Sequence, residues 1–214
     1  MSSFSSLEEK NQTLFVRLKS ITYEAKDVLL FELVPLNGQK LRAFSAGSHI
    51  DIYLPNGLIR QYSLCNSPLE KDRYVIGVKR DPLSRGGSIC MHDRLKVGSE
   101  LKISVPRNNF PLAHESRHSV LIGGGIGITP LISMAHELSA KNASWHLFCS
   151  FKNRSEVALS GQFESSKVHL HIDDESQSEF LNVASILANA PQGSHFYCCG
   201  PEPMLNHFIE LSKS

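Results

Sequence analysis

The 214-residue sequence has no uninterrupted apolar run approaching the roughly 20 residues that a membrane-spanning helix needs, so no bilayer crossing is expected. It has no excess of charge either. Twenty-two basic residues against 21 acidic ones leave a formal net charge of +1, and no block of one sign offers a footprint for nucleic acid or an anionic membrane. Cysteine is scarce and irregularly spaced: Cys65, Cys90, Cys149, Cys198 and Cys199 are odd in number, which argues against a disulfide framework and a zinc set. They read as reduced thiols. The C-x4-C-x2-C spacing with a distant fourth cysteine is absent, so no iron–sulfur cluster is expected on this chain. The serine-rich start, residues 1–6, lacks a basic head and an apolar segment; it does not read as an export signal, and the expected location is the cytoplasm.

What is present is a composition, 41% hydrophobic, able to bury one large core or two cores of about 100 residues each. Residues 14–18, 28–33, 50–54, 59–64, 73–79 and 101–105 are short, rich in β-branched and aromatic side chains, and read as strands. Asn37-Gly38, Ala46-Gly47 and Asn56-Gly57 punctuate them as turns, with one helix expected over 88–95. Six short strands with frequent turns predict an antiparallel barrel, closed or nearly so. Residues 106–111, with two prolines and two asparagines, read as a linker. Beyond it, strands at 119–122, 145–149, 168–172 and 195–199 alternate with helical patterns at 129–140, 182–190 and 203–211. That order predicts a parallel sheet with crossover helices. The expected architecture is thus a six-stranded antiparallel barrel over 1–108, followed by a doubly wound α/β half over 109–214.

Four segments carry chemistry. Gly123-Gly124-Gly125-Ile126-Gly127-Ile128-Thr129-Pro130 joins a buried strand to a helix, where backbone N–H groups and the helix dipole can meet a diphosphate and a side chain would hold it off. Such turns also occur simply to tighten packing, and the spacing is not the G-x-G-x-x-G fingerprint. Cys198-Cys199-Gly200-Pro201-Glu202-Pro203-Met204 ends another parallel strand on the same sheet edge; the alternative is a plain strand stop and helix start. On Arg60-Gln61-Tyr62-Ser63, alternation sends Arg60 and Tyr62 to one face and Gln61 and Ser63 to the other. A cation beside an aromatic ring suits a planar anion, although a cross-strand pair would look the same. Ser84-Arg85-Gly86-Gly87-Ser88 leads into a helix start, which serves either as a phosphate seat or as an ordinary cap.

Arg60 to Asn66, Val78-Lys79-Arg80, Ser84 to Ser88, Gly123 to Pro130 and Cys198 to Met204 occur in the order seen in ferredoxin-NADP reductase-like flavoproteins. The sequence resembles most closely the phthalate dioxygenase reductase branch, over residues 14–208. The resemblance implies a flavin-binding barrel and an NADH-binding α/β half. It implies that Tyr62 packs on the flavin ring, Arg60 binds the flavin phosphate, Gln61 belongs to the same strand motif, and Ser63 lies beside flavin N5. Gly77, Val78 and Lys79 would run along the flavin edge. Arg85, Gly86, Gly87 and Ser88 would enclose the phosphate, and Thr129 would close the pocket shared with nicotinamide. Gly124, Gly125 and Gly127 would face the NADH diphosphate, with Cys199 and Gly200 near the nicotinamide. Ser63, Thr129 and Cys199 are therefore the candidate catalytic residues, with Cys199 as a positioning group and no metal ligand among them.

The same resemblance implies FMN rather than FAD. Asp173, followed by Asp174, matches the acidic pair near the adenosine site and favours NADH, against which Lys152 and Arg154 stand nearby. The implied function is hydride transfer from NADH to FMN, then single electrons to a 2Fe–2S centre on a ferredoxin domain or separate ferredoxin feeding a Rieske-type oxygenase. Free-standing flavin or ferric reduction and a non-catalytic nucleotide-binding module are the alternatives. His169 and His171 share a strand face but lack a third ligand and read as packing residues; His92-Asp93 reads as structural.

Overall fold

A computed structural model describes residues 12–36, 40–113, 115–176 and 179–213. The expected Asn37-Gly38 turn and the serine-rich start lie outside the described residues. Strand β1 (Thr13–Ala25) buries Val16 and Leu18 completely between exposed Phe15, Arg17 and Lys19, the period-two pattern of a half-buried strand. It is longer than the 14–18 segment predicted, because its second half is polar and pairs through two irregularities, at Leu18/Ser20 and Tyr23/Ala25. Those bends let one strand serve two neighbours.

The remaining strands of this half are β2 (Val28–Pro35), β3 (Ser48–Tyr53), β4 (Ile59–Ser63), β5 (Tyr74–Lys79) and β6 (Glu100–Ser104), with helix α1 (Gly87–Arg94) between the last two. They pair antiparallel in the order β4-β3-β6-β1-β2-β5. The two ends of the sheet meet at the bridge Leu64 to Ile76, beside which Cys65 N donates to Val75 O and Val75 N to Asn66 Oδ1, both at 2.9 Å, so the expected barrel closes over a short seam. Its core holds Phe31, Leu33, Ile50, Ile52, Leu64, Tyr74, Ile76 and Ile103, and α1 adds Cys90 and Met91 to it. The segment expected as a linker belongs to this sheet. Its two-residue strand β7 (Arg107–Asn108) pairs with β3, Asn108 Nδ2 donates to Ser45 Oγ and Ala46 O, and Arg107 pairs with Asp51 at 2.6 Å.

Strands β8 (His118–Gly124), β9 (Trp145–Phe151), β10 (Val168–Ile172) and β11 (Ser194–Cys199) form a parallel sheet in the order β10-β9-β8-β11. Every residue of β8 is buried, as a strand covered on both faces requires. Helix α2 (Ile128–Ala140) packs with Leu121, Leu147, Cys149 and Phe151 on one face. Helices α3 (Val183–Asn189) and α4 (Glu202–Leu211) cover Val120, Ile122 and Phe196 on the other, giving the expected doubly wound arrangement. The chain leaves β8 toward β9 and returns on its other side as β11, so the switch point lies between β8 and β11, where ligands of open α/β sheets bind.

The halves share a core in which Ala25, Val28, Ala46 and Cys65 of the barrel meet Leu131, Met134 and Ala135 of α2. Polar ties cross the same junction: Ala46 N donates to Glu137 Oε2 at 3.1 Å, Leu159 N to Glu24 Oε1 at 2.7 Å, and Lys26 N to Ser155 O at 2.8 Å. Among the described residues no helix is long and apolar enough to cross a membrane.

Candidate functional site

The barrel contributes an anion-shaped corner. Cross-strand pairing sets Tyr62 opposite Ile50 and Arg60 opposite Ile52, both fully buried, so the expected alternation holds and the two face the barrel interior near α1. Gln61 goes the other way, toward the Asp51 carboxylate that Arg107 neutralises. The structure therefore does not bring Gln61 together with Arg60 and Tyr62. Arg60 lies against the start of α1: a Cβ on Gly87 would come within 2.5 Å of its Nε, which is why glycine stands there. Gly86, at φ +93°, caps α1 from the left-handed region, and Asn56 Nδ2 holds its carbonyl at 3.1 Å.

No side chain caps the free N–H groups of α1. Ser88 Oγ accepts from Asp81 N at 3.1 Å, exposed Arg85 stands at the approach, and neither Arg60 nor Arg85 has an acidic partner among the described residues. An uncapped helix start between two unpaired guanidinium groups is suited to a phosphate. Beside it Tyr62 is half-buried against the barrel core, and burial pushes its phenol up to about 12, with Arg60 opposing. The ring is neutral at physiological pH.

Between the halves, Gly77 lets β5 approach α2: a Cβ there would sit 2.9 Å from Thr129 Cγ2. Thr129 is buried, and its hydroxyl donates to Ile126 O at 3.0 Å. His92 Nε2 lies 2.9 Å from Val78 O, and Asp93 pairs with Arg80, so both residues are structural as expected. Lys79 Nζ reaches across to Glu156 Oε2 at 2.5 Å. Burial pushes the Glu156 carboxyl up, but Lys79 and Asn153 outweigh it and leave it below the usual range.

Past that ion pair opens a cleft of about 780 Å³ at the C-terminal ends of the parallel strands. Gly124 ends β8 and Gly125 follows it, Ser150 lies near the end of β9 and Lys152 just after it, Asp173 follows β10, and Met204 and His207 come from α4. Of the residues expected at the site, Lys79, Gly124, Gly125 and Asp173 line this cleft. Cys199 and Gly200 do not; the Pro201 and Pro203 that follow them do. The glycines are there largely for packing. A Cβ on Gly124 would meet Pro201 Cδ at 2.7 Å, on Gly127 the Cys199 carbonyl oxygen at 2.6 Å, and on Gly200 Met204 Sδ at 2.9 Å. Only Gly125 of this group, at φ +52°, has nothing within 4 Å and presents bare backbone. Burial raises the Cys199 thiol, and it raises Cys198 to about 11, so neither is a thiolate nucleophile.

Asp173 Oδ1 accepts from Ser150 Oγ at 2.9 Å and lies 3.5 Å from His171 Nε2. His171 Nε2 is also 2.8 Å from Glu179 O, and His169 stacks on Phe148 with centroids 4.4 Å apart, so both histidines have packing partners. Arg154 is held by Glu175 at 2.7 and 2.6 Å, leaving Lys152 to line the cleft. The wall at residues 179–183, with Phe180 at 82% exposure, was not apparent from sequence. Its available signal was the apolar pair Phe180-Leu181 just ahead of Asn182, whose side chain caps α3 at 2.9 Å from Ser185 N.

No family model matches the chain. The phenoxybenzoate dioxygenase subunit beta of Ectopseudomonas oleovorans is 46% identical over 195 residues, covering 90% of this chain and 61% of the relative. The vanillate O-demethylase oxidoreductase of Pseudomonas putida is 44% identical over 195 residues, covering 89% of this chain and 61% of the relative. The chain thus spans about three fifths of the length of these curated relatives. Among solved structures, phthalate dioxygenase reductase, described as a modular structure for electron transfer from pyridine nucleotides to a 2Fe–2S centre, superposes with a TM-score of 0.89 at 34% identity. That match covers 96% of this chain and 65% of the other. Over the part that the two share, the chain is thus similar in sequence and in its two-part fold to the phthalate dioxygenase reductase-like branch of the ferredoxin-NADP reductase superfamily.

Proposed function

We propose that this chain is the reductase core of an oxygenase system, taking electrons from NADH by way of FMN and delivering them to a 2Fe–2S centre that feeds a Rieske-type oxygenase. The observation that carries the reading is the pairing of two ligand-shaped features on one molecule. One is the uncapped start of α1 between unpaired Arg60 and Arg85; the other is the cleft of about 780 Å³ at the sheet's switch point. The phenoxybenzoate dioxygenase subunit beta and phthalate dioxygenase reductase both carry a dioxygenase in their names, which supports the choice of partner.

A flavin, when bound, supplies the capacity to take two electrons as a hydride and release them singly. The residues present fit such a group. Arg60, Arg85, Ser88 and the first N–H groups of α1 would hold a terminal phosphate monoester, which favours FMN over FAD. Tyr62 offers a neutral aromatic face, Ser63 a hydroxyl at the end of the same strand, and Gly77 to Lys79 a strand edge that β4 leaves unpaired. Thr129 stands where the barrel meets α2, and Gly125 offers backbone to a diphosphate with Gly124 and Gly127 setting the turn. Asp173 and Glu156 make the cleft unfavourable for an extra 2'-phosphate and so favour NADH over NADPH.

Hydride transfer needs no general acid or base. Neither the Thr129 hydroxyl, bonded to Ile126 O, nor the protonated Cys199 thiol is arranged to act as one. Cys199 and Gly200 instead keep β11 tight against the glycine turn of β8. The test is the visible absorption spectrum of the purified chain before and after adding NADH without oxygen. A flavin spectrum that NADH bleaches is expected. A protein that stays colourless after incubation with FMN and with FAD overturns the reading.

A further inference from the structure

We propose that Ser150 and His171 are positioning residues that build the adenosine end of the cleft, fixing Asp173 to receive a ribose diol and holding Phe180 to cover the base. The inference rests on the nucleotide reading above and deepens it. Ser150, the last residue but one of β9, is only 7% exposed, and its hydroxyl donates to Asp173 Oδ1 at 2.9 Å. That bond satisfies a buried hydroxyl and fixes one carboxylate oxygen, leaving Oδ2 with no hydrogen-bond partner among the described residues. A cis-diol presents two donors, which a fixed carboxylate accepts.

His171 joins this carboxylate to the neighbouring wall. Its Nε2 is 2.8 Å from the Glu179 carbonyl, and a carbonyl can only accept, so Nε2 carries the proton and donates. The same nitrogen is 3.5 Å from Asp173 Oδ1. One ring therefore sets the spacing between the carboxylate and the segment that bears Phe180. That phenyl ring is 82% exposed although it lines a cleft, an arrangement that gains free energy once a flat apolar surface covers it. A carboxylate for a diol and a ring for a base, tied together by one histidine, are the recognition chemistry of an adenosine whose 2'-hydroxyl is free. A 2'-phosphate would bring a second anion against a carboxylate that cannot turn away.

The test is calorimetric titration of the purified chain with ADP-ribose and with 2'-phospho-ADP-ribose, which reads binding without turnover. The wild-type chain is expected to prefer ADP-ribose. Ser150→Ala and His171→Ala should each weaken ADP-ribose by about tenfold while changing the 2'-phosphorylated ligand by less than about twofold, since each loses a bond that orients a charged acceptor. Ser150→Thr, which keeps the hydroxyl, and His171→Gln, which keeps a donor for Glu179 O, should recover most of the preference. Phe180→Ala should weaken both ligands by about tenfold and Phe180→Tyr should not. If Ser150→Ala and His171→Ala retain the wild-type preference while Asp173→Ala loses it, the positioning inference falls and the nucleotide reading stands. If the wild-type chain binds neither ligand, both fall.

Discussion

The barrel and the α/β half offer an anion opposite surroundings. On the barrel the charge is carried by side chains: Arg60 and Arg85 are unpaired, and Gly87 lacks a side chain so that the stem of Arg60 can lie over the helix start. In the α/β half the glycines clear space mainly for one another, the bare backbone is confined to Gly125, and the cleft is lined by Glu156, Asp173 and Glu179 as well as by Lys79 and Lys152. A phosphate on the barrel meets net positive charge. In the cleft three carboxylates stand beside two lysines, so a diphosphate there would depend more on backbone N–H groups than on net charge.

The sharpest break in this comparison comes from the glycines. Gly127→Val should destabilise the fold by about 3 kcal/mol, because its Cβ has no room beside the Cys199 carbonyl, whereas Gly125→Ala should cost only about 1 kcal/mol through its positive φ. Urea titration of the two variants checks this, and equal losses would erase the distinction between packing and open glycines. Next, Arg60→Ala and Arg85→Ala should each weaken FMN by about 1.5 to 3 kcal/mol, followed by fluorescence quenching, with less effect on ADP-ribose.

A smaller effect belongs to the Lys79–Glu156 pair. The Glu156 carboxyl lies below its usual range in the folded chain, so its contribution is present above the unfolded value near pH 4.5 and is lost as pH falls through the folded one. Glu156→Gln should remove about 1 kcal/mol at pH 7 and flatten the decline in stability below about pH 4.5, as followed by thermal melts across pH. Smallest of all, Cys199→Ala should leave the rate of flavin reduction by NADH within about twofold, because its thiol is neutral and no proton is transferred there.

Much of this was readable from residues. The strand at 119–122 was plain because a fully buried parallel strand is an apolar run, and α2 because glycine and Thr129-Pro130 announce its start. The second half of β1 was not, since residues 19–25 alternate polar groups around two bulges and carry no clean period. Residues 106–111 looked like a linker because two prolines flank them, yet Asn108 uses its side chain to pin the segment to Ser45 and Ala46. For the site, Arg60 and Tyr62 stand out as types in a pattern and Asp173 only through the family resemblance, while Gln61, grouped with its strand neighbours, turns to Asp51 on the other face. The motivation for the glycines was hidden for a different reason. Whether a missing Cβ makes room for a ligand or for another strand depends on what folds opposite, and nothing local in sequence records that.

The short seam that closes the barrel has a consequence for self-association. A seam between two strand edges is a template on which another chain can add a strand, and sheet proteins that leave one open tend to aggregate through it. Here α1 stands guard: His92 occupies the Val78 carbonyl, Asp93 pairs with the Arg80 that continues β5, and Lys79 places a charge on the edge itself. The helix start proposed as an anion seat thus belongs to the same eight-residue element that covers this strand edge.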